Sequence, residues 1–92
     1  MFYTYVLRSQ KNNRLYIGST DNLKRRFGEH NKGIGGVYTS KSKPFDLIYY
    51  EAYLVYSDAR SSEKFYKTGY GREVLKGKLK EFFVNKKKKV CI

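Results

Sequence analysis

The segment around residue 26 carries an arginine and a histidine whose spacing suits chemistry on a phosphate. Arg26 and His30 are four residues apart, so in a helix they lie on one face. If Leu23 and Phe27 form the buried stripe of that helix, this face lies beside it and Arg25 points to solvent. A planar guanidinium at the edge of the core suits bidentate binding of a phosphate. The plainer alternatives are a surface arginine for Arg26 and a residue at the helix C-terminus for His30.

A second helical segment places one acidic side chain beside its core face. Glu63 shares that face with Ala59, Ser62 and Tyr66, in a chain that is otherwise strongly basic. A lone carboxylate in a basic groove repels phosphate unless a cation lies between them. Mg²⁺ is often held by one or two carboxylates together with substrate phosphate, so Glu63 is a candidate metal ligand. The alternative is an ion pair with Lys67 one turn later, and both can hold in the free protein.

The charge of the chain points to an anionic partner. Twenty lysines and arginines oppose eight aspartates and glutamates, giving a formal net charge of +12. Self-repulsion at this charge opposes compaction, and a nucleic-acid backbone is the commonest partner that would offset it. An anionic membrane surface is the weaker alternative, because the basic residues are spread along the chain, and plain solubility is a third. Charge alone does not separate binding from cutting.

Length and composition indicate one small globular domain. Ninety-two residues with 40% apolar content, six Phe and ten Tyr suffice for one modest core. No run approaches the roughly 20 apolar residues of a membrane span. The first seven residues are typical of a strand rather than of a secretory signal, so we expect a cytoplasmic protein. The single cysteine, Cys91, excludes an internal disulfide and a cysteine-based zinc site.

The first twenty residues predict a β-hairpin. Residues 2–8 and 15–19 are rich in β-formers, and the polar stretch between them contains the turn formers Asn12 and Asn13. A hairpin loop of about four residues leaves Tyr5 and Tyr16 as diagonal neighbours on one face of the sheet. Diagonal neighbours in an antiparallel pair lie within side-chain reach of each other.

The rest of the chain alternates helix with strand. We expect a helix over residues 22–31 capped by Thr20 and Asp21, a strand over residues 45–54, a helix from Ser57-Asp58 to Gly69 or Gly71, and a helix over residues 72–84. The last helix carries a core-facing stripe of Leu75, Leu79, Phe82 and Phe83. The order β-β-α-β-α-α predicts a small α/β (α+β) fold, with a three-stranded, antiparallel or mixed sheet flanked by helices. We expect one domain over residues 1–85 and a basic C-terminal tail over residues 86–92.

Together these residues resemble the GIY-YIG nuclease superfamily, in its small stand-alone members of bacterial type. Tyr16-Ile17-Gly18 is the second half of the family signature and begins eleven residues after Tyr5. In the first half, Tyr3-Thr4-Tyr5, the named motif has Gly and Ile in place of Tyr3 and Thr4, and the final tyrosine is kept. Arg26, His30 and Glu63 follow in the family's order. The resemblance covers roughly residues 2–79.

The resemblance implies a metal-dependent endonuclease that hydrolyses phosphodiester bonds in DNA with one Mg²⁺ or Mn²⁺ ion. Arg26 would neutralise charge on the phosphoryl oxygens, and Glu63 would bind the metal. Tyr5 or Tyr16 would take a proton from the attacking water or orient it, and His30 would relay that proton. Because the unperturbed pKa of tyrosine is about 10, nearby cations must favour the phenolate, and Arg26, His30 and the metal are available.

Two small residues complete the signature segment. Gly18 is expected to permit close backbone packing rather than to take part in the chemistry. Ser19 stands where some repair-type members of the superfamily carry a lysine, so one base-activating cation is missing from this chain.

The sequence leaves the substrate contacts less constrained. Candidate nucleic-acid contacts are Lys24, Arg25, Lys32, Lys41 and Lys67. The glycine-rich loop over residues 32–43 is either a substrate clamp or a plain surface connection. The sequence does not decide whether cutting is structure-specific and belongs to DNA repair or recombination, or whether the substrate is DNA or RNA. The oligomeric state and a protein partner for targeting also stay open. The alternative function is a catalytically inactive nucleic-acid-binding module with the same fold, and a ribosome-associated basic protein is a remote third.

Overall fold

A computed structural model describes residues 1–34 and 41–85 of the chain as an α+β fold. Three strands form an antiparallel sheet, which confirms the predicted three-stranded sheet, and their order in it is β2-β1-β3. The strands are β1 (Phe2–Ser9), β2 (Leu15–Thr20) and β3 (Phe45–Tyr53). The helices within the described residues are α1 (Leu23–Asn31), α2 (Tyr56–Tyr66), α3 (Gly69–Lys78) and α4 (Lys80–Asn85).

The β1–β2 hairpin has the register that brings two tyrosines together. Tyr5 is paired with Gly18 and Leu7 with Tyr16, so Tyr5 and Tyr16 are diagonal neighbours on one face, which confirms the prediction. Asn13 closes the turn with a positive φ of 62°, a conformation that asparagine adopts more readily than most residues. Its backbone N–H donates to the carbonyl of Ser9 at 3.0 Å.

The central strand β1 is buried on both faces. Tyr5 and Leu7 pack with Phe45 on the face that α1 covers, where Leu23 and Phe27 join them. On the opposite face, Val6 packs with side chains of α2 and α3, chief among them Tyr66 and Leu75. Because helices cover both faces of the sheet, the four consecutive residues 4–7 are all buried. The edge strand β2, in contrast, is only partly buried along most of its length.

A carboxylate on β3 fastens α2 to the sheet. Glu51 accepts hydrogen bonds from the hydroxyls of Tyr49, Tyr53, Ser62 and Tyr66, at 2.5–2.7 Å. Burial alone would raise the pKa of Glu51, but the hydroxyl donors outweigh it and lower that pKa to about 2. Because Ser62 and Tyr66 belong to α2, this ionised carboxylate fixes the helix that carries Glu63.

The start of α1 differs from the prediction. Asn22 is the N-cap, because its backbone is extended and its side chain accepts from the backbone N–H of Arg25 at 3.0 Å. Thr20 and Asp21 were therefore wrongly predicted as the cap. Thr20 instead accepts a hydrogen bond from the backbone N–H of Asn22, and Asp21 pairs with the Arg25 guanidinium.

The helices after β3 also correct the sequence prediction. Helix α2 begins at Tyr56, one residue before Ser57-Asp58, and ends at Tyr66 rather than near Gly69 or Gly71. Thr68 then caps α3, since its hydroxyl accepts from the backbone N–H of Gly71 at 2.9 Å. A Cβ at Gly71 would lie 1.8 Å from the carbonyl oxygen of Phe65, so the tight connection requires glycine.

The predicted single helix over residues 72–84 is two helices. Leu79 breaks it with backbone angles outside the helical region, φ −106° and ψ 23°. Leu75 is nonetheless fully buried and Leu79 packs against the same cluster, so part of the predicted stripe does face the core.

None of the helices in the described ranges has the length and apolar character needed to cross a bilayer. The basic tail over residues 86–92 and residues 35–40 of the glycine-rich loop lie outside the described residues.

Candidate active site

One cavity of about 530 Å³ lies along the edge strand β2, and all five predicted catalytic residues line it. Strand β1 contributes Tyr5, β2 Tyr16, α1 Arg26 and His30, and α2 Glu63. Successive side chains of a strand point to opposite faces, so Tyr16 and Gly18 face α1 whereas Ile17 and Ser19 face α2. The cavity wraps around β2 and is lined from both sides of the sheet.

Tyr5 and His30 form a buried hydrogen-bonded pair. The Tyr5 hydroxyl lies 3.1 Å from Nε2 of His30. Burial, reinforced by the positive charge of Arg26, lowers the pKa of His30 below its ordinary value of 6.5, so the imidazole is neutral at neutral pH. Its other nitrogen, Nδ1, is buried and has no hydrogen-bond partner among the described residues.

The protonation of Tyr5 differs from the sequence expectation. Burial raises the pKa of Tyr5 above 10, even though the hydrogen bond and the charge of Arg26 lower it. His30 supplies no charge because it is neutral. Of the two side chains expected to favour the phenolate, Arg26 therefore does so and His30 does not. Burial outweighs Arg26, so in the free protein Tyr5 is a phenol at neutral pH.

Gly18 allows the ring of Tyr5 to lie across β2. A Cβ at this position would be 2.4 Å from the Tyr5 hydroxyl oxygen and 2.7 Å from Cζ of the same ring. Real Cβ atoms do not approach other atoms so closely, so a side chain here would displace Tyr5 from His30. The third residue of the signature segment thus acts through packing.

Arg26 and Glu63 approach the cavity from opposite sides of β2. Arg26 donates to Glu29 at 3.0 Å and is hydrogen-bonded to Tyr5. Glu63 is buried and accepts hydrogen bonds from Ser19 Oγ at 2.7 Å and Lys67 Nζ at 2.8 Å. Burial alone would raise the pKa of Glu63, but these two donors lower it, so the carboxylate is ionised. The intrahelical ion pair weighed as the alternative role of Glu63 is present.

Tyr16 is held by contacts different from those of Tyr5. Its hydroxyl is hydrogen-bonded to Oγ of Ser42 at 2.8 Å, and its ring packs edge-on against Phe45. Ser42 is itself buried, and its hydroxyl also accepts a hydrogen bond from the side-chain amide of Asn12 at 3.2 Å. Tyr16 is therefore positioned by the segment just before β3.

Comparison with protein families adds to this geometry. The GIY-YIG catalytic domain matches the chain over residues 1–80, a range that includes every residue lining the cavity. The chain belongs to the GIY-YIG family. A GIY-YIG domain has a nuclease fold and implies nucleic-acid binding, and GIY-YIG nucleases generally use a divalent metal ion.

Similar bacterial proteins carry names that state no activity. A UPF0213 protein of Pediococcus acidilactici is 44% identical over 77 residues, which are 82% of this chain and 78% of that protein. Another, of Pediococcus pentosaceus, is 48% identical over 62 residues, 67% of this chain and 64% of that protein. A third, of Staphylococcus haemolyticus, is 36% identical over 74 residues, 80% of this chain and 89% of that protein. No solved structure matches the chain significantly.

The GIY-YIG cavity offers a divalent ion one carboxylate. Within residues 1–34 and 41–85, no three His, Cys, Asp or Glu side chains come together as metal ligands. A single ionised carboxylate fits Mg²⁺, which keeps several waters and takes further ligands from substrate phosphate, and does not fit structural zinc. Lys67 and Arg60 form the ion pairs with Glu63. Their side chains are about half exposed and can turn away from the carboxylate.

Sequence reasoning missed four residues of the site, three that line the GIY-YIG cavity and one that contacts a lining residue. Arg60 and Arg72 line it from α2 and α3, Ser19 orients Glu63, and Ser42 orients Tyr16. With Arg26 and Lys67, the two arginines give four cations against one carboxylate. Local sequence gives no signal for Arg60 or Arg72, because on their own helices both are ordinary exposed charges.

The predicted nucleic-acid contacts fall into two groups. Lys67 lines the GIY-YIG cavity, whereas Lys24, Arg25, Lys32 and Lys41 are exposed residues outside it. Arg25 is engaged in ion pairs with Asp21 and Glu29. Contact of these residues with nucleic acid stays a prediction.

Proposed function

We propose that the chain is a metal-dependent endonuclease that hydrolyses phosphodiester bonds in DNA. The observation that carries the proposal is the single cavity lined by Tyr5, Tyr16, Arg26, His30 and Glu63. A binding surface requires cations and aromatic rings. It does not require a buried phenol–imidazole pair on one wall and a buried carboxylate on the other, whereas general acid–base and metal-assisted hydrolysis require both.

The scissile phosphate is bound by the cationic side of the cavity. Arg26 reaches it from α1, while Arg60, Lys67 and Arg72 surround Glu63 from the other side of β2. Guanidinium groups that are in place before the reaction stabilise the charge that develops on phosphoryl oxygens, without reorganisation cost. The excess of positive charge also draws the polyanion toward the cavity.

Glu63 is the residue that would hold the ion, one Mg²⁺ or Mn²⁺. When bound, the ion supplies Lewis-acid polarisation of a phosphoryl oxygen. Ser19 keeps the carboxylate aimed by donating to Oε1. With an ion on Glu63, Lys67 and Arg60 would pair with phosphate oxygens instead of with the carboxylate. Both side chains are long and half exposed, and both lie one helical turn from Glu63.

The Tyr5–His30 pair provides the route for the proton of the attacking water. As the water oxygen bonds to phosphorus, the water donates a proton to Oη of Tyr5 and the Tyr5 hydroxyl donates to Nε2 of His30, which leaves a neutral phenol and an imidazolium. The P–O bond to the leaving strand breaks, and the leaving oxygen takes a proton from solvent water. Burial keeps the pKa of His30 below its ordinary value, so the imidazole is neutral at neutral pH and its Nε2 has a lone pair for this proton. In this assignment Tyr5 is a relay and never a free phenolate, which agrees with its raised pKa. Tyr16, fixed by Ser42, orients the water.

One observation favours a second candidate function, a binding module without activity. Both carboxylate oxygens of Glu63 are occupied by basic side chains, Oε1 by Arg60 and Oε2 by Lys67. A protein fixed in that state would bind nucleic acid through its cations alone.

Metal-supplemented cleavage assays separate the two functions. Purified protein is incubated with single-stranded, duplex and flap DNA, and with an RNA of the same sequence, in Mg²⁺, in Mn²⁺ or in chelator. Cleavage of DNA that requires the metal supports the endonuclease. Salt-dependent binding without cleavage in any metal identifies the module, and preferential cleavage of RNA overturns the choice of substrate.

A further inference from the structure

A second pocket, of about 560 Å³, adjoins the catalytic cavity and shares Ser19 and Arg26 with it. Its remaining lining residues are Phe2, Thr20, Asp21, Arg25, Glu29 and Tyr56. We call it the flanking pocket. Because Arg26 belongs to both, a strand whose phosphate lies on Arg26 can place the neighbouring nucleoside in this pocket.

The charges of the flanking pocket differ from those of the catalytic cavity. Arg25 is paired with Asp21 at 3.1 Å and Arg26 with Glu29 at 3.0 Å, so two cations meet two carboxylates. The catalytic cavity instead has three cations besides Arg26, namely Arg60, Lys67 and Arg72, against Glu63. A pocket whose charges balance does not attract phosphate, and it suits a neutral group with polar edges.

One wall of the flanking pocket is aromatic. Tyr56, at the start of α2, is 47% exposed. The ring of Phe2 packs edge-on against it, with centroids 5.4 Å apart, and supports Tyr56 from the side of β1. An accessible ring next to a basic phosphate site is the arrangement on which single-stranded nucleic acids stack their bases.

We propose that the flanking pocket receives an unpaired nucleobase next to the scissile phosphate, stacked on Tyr56. The carboxylates of Asp21 and Glu29 are acceptors suited to the exocyclic amino groups of bases. A base within a duplex is covered on both faces by its neighbours and reaches Tyr56 only after unstacking, which costs energy. The preferred substrate is therefore single-stranded or locally unpaired. This inference rests on the proposed function, because it takes Arg26 as the phosphate ligand.

Oligonucleotides that carry the fluorescent base 2-aminopurine test the pocket directly. They are titrated with the full chain in chelator, as single strands and as duplexes of the same sequence. Base–aromatic stacking is worth about 5-fold to 150-fold in affinity per base. Tyr56→Ala should weaken single-strand binding by about fivefold or more and abolish the quenching of 2-aminopurine. Duplex binding should change less than about twofold.

Three further variants keep the test specific. Tyr56→Phe retains the ring and should bind like the wild type, whereas Tyr56→Leu keeps apolar contact with Phe2 and should behave like Tyr56→Ala. Tyr70→Ala is the matched control, because Tyr70 is a 75% exposed tyrosine on α3 outside both pockets. It should leave binding unchanged.

The outcomes separate this inference from the proposed function. If Tyr56→Ala weakens single-strand and duplex binding equally, or weakens neither, the base pocket is wrong while metal-dependent cleavage can still be observed. If Tyr56→Leu binds and quenches like the wild type, the contact is apolar packing and not stacking, which also overturns it. If the wild type neither binds nor cleaves DNA, the proposed function fails and this inference fails with it.

Discussion

The hydroxyl of Tyr5 lies 3.1 Å from Nε2 of His30, and each of these residues is only 4% exposed. Two titratable groups are thus buried together, with Arg26 as the nearest cation. Burial moves their pKa values apart, since that of the phenol rises and that of the imidazole falls. The pair is consequently set as a proton donor facing a neutral acceptor, the arrangement that the proposed relay needs.

Acid should both inactivate and destabilise the protein through His30. The relay needs a neutral imidazole, so the cleavage rate should rise with pH up to the lowered pKa of His30 and level off above it. Because the pKa of His30 is lower in the folded state, its contribution to stability is complete above 6.5 and is lost as pH falls through the folded pKa. His30→Gln should remove both dependences. Thermal unfolding and single-turnover rates between pH 5 and 8 measure them, and a profile unchanged by His30→Gln would contradict the assignment.

Arg26→Ala should lower turnover far more than affinity. One lost phosphate contact among many costs little binding, whereas a lost donor at the transition state costs about 10²–10³ in kcat. Arg25→Ala is the matched control, because Arg25 neighbours it in sequence but lies outside the catalytic cavity. That variant should be nearly silent in catalysis. Single-turnover cleavage and equilibrium binding are compared for both proteins, and parallel losses of rate and affinity in Arg26→Ala would overturn the division of roles.

Gly18→Ala should displace Tyr5 and reduce activity. The new Cβ would meet the Tyr5 hydroxyl at 2.4 Å, and overpacking of this kind typically costs about 1–3 kcal/mol of stability. Gly77→Ala on α3 is the control, since its added Cβ meets no described atom within 4 Å apart from its chain neighbours and its own helix backbone. That change should stabilise the helix by about 0.5–1 kcal/mol. Chemical denaturation and cleavage rates test both variants, and a Gly18→Ala protein as stable and active as the wild type would show that Tyr5 does not depend on this contact.

Lys67→Met should increase metal affinity at Glu63. The Lys67 ammonium lies 2.8 Å from the carboxylate and must leave it when an ion binds. Because Lys67 is half exposed, solvent screens the pair, and we expect only about a threefold gain. Arg72→Met removes a charge from the same cavity without breaking a contact to Glu63 and should give a smaller gain. Proton relaxation in Mn²⁺ titrations measures both, and equal effects would mean that Lys67 acts through charge alone.

Local sequence patterns were sufficient to predict the five candidate catalytic residues that the elements present to the site. Helical spacing placed Arg26 and His30 on one face of α1, and His30 is buried with Arg26 at the edge. Hairpin geometry placed Tyr5 and Tyr16 on one face of the sheet. Spacing on α2 placed Glu63 on the core-facing side, and Glu63 is buried. In each case the periodicity of a single element decides the answer.

Contacts between elements could not be predicted in this way. The hydroxyl of Tyr16 meets Ser42, 26 residues away, and Arg72 enters the cavity only because α3 folds back beside α2. Leu79 ends α3 although its spacing suits a continuous helix. The raised pKa of Tyr5 likewise depends on how deeply α1 and the sheet bury it, which neither helical nor strand spacing reveals.

The most direct measurement of the central claim is the single-turnover rate of DNA cleavage in Mg²⁺ by the wild type, Glu63→Gln and Glu73→Gln. Glu73 is an exposed glutamate of α3 that pairs with Lys76 outside the cavity. We predict that Glu63→Gln lowers the rate by about 10² or more while DNA affinity stays within about twofold. Glu73→Gln should match the wild type, and chelator should abolish cleavage by all three. Equal cleavage by the wild type and Glu63→Gln, or cleavage that persists in chelator, would contradict a metal-dependent active site at Glu63.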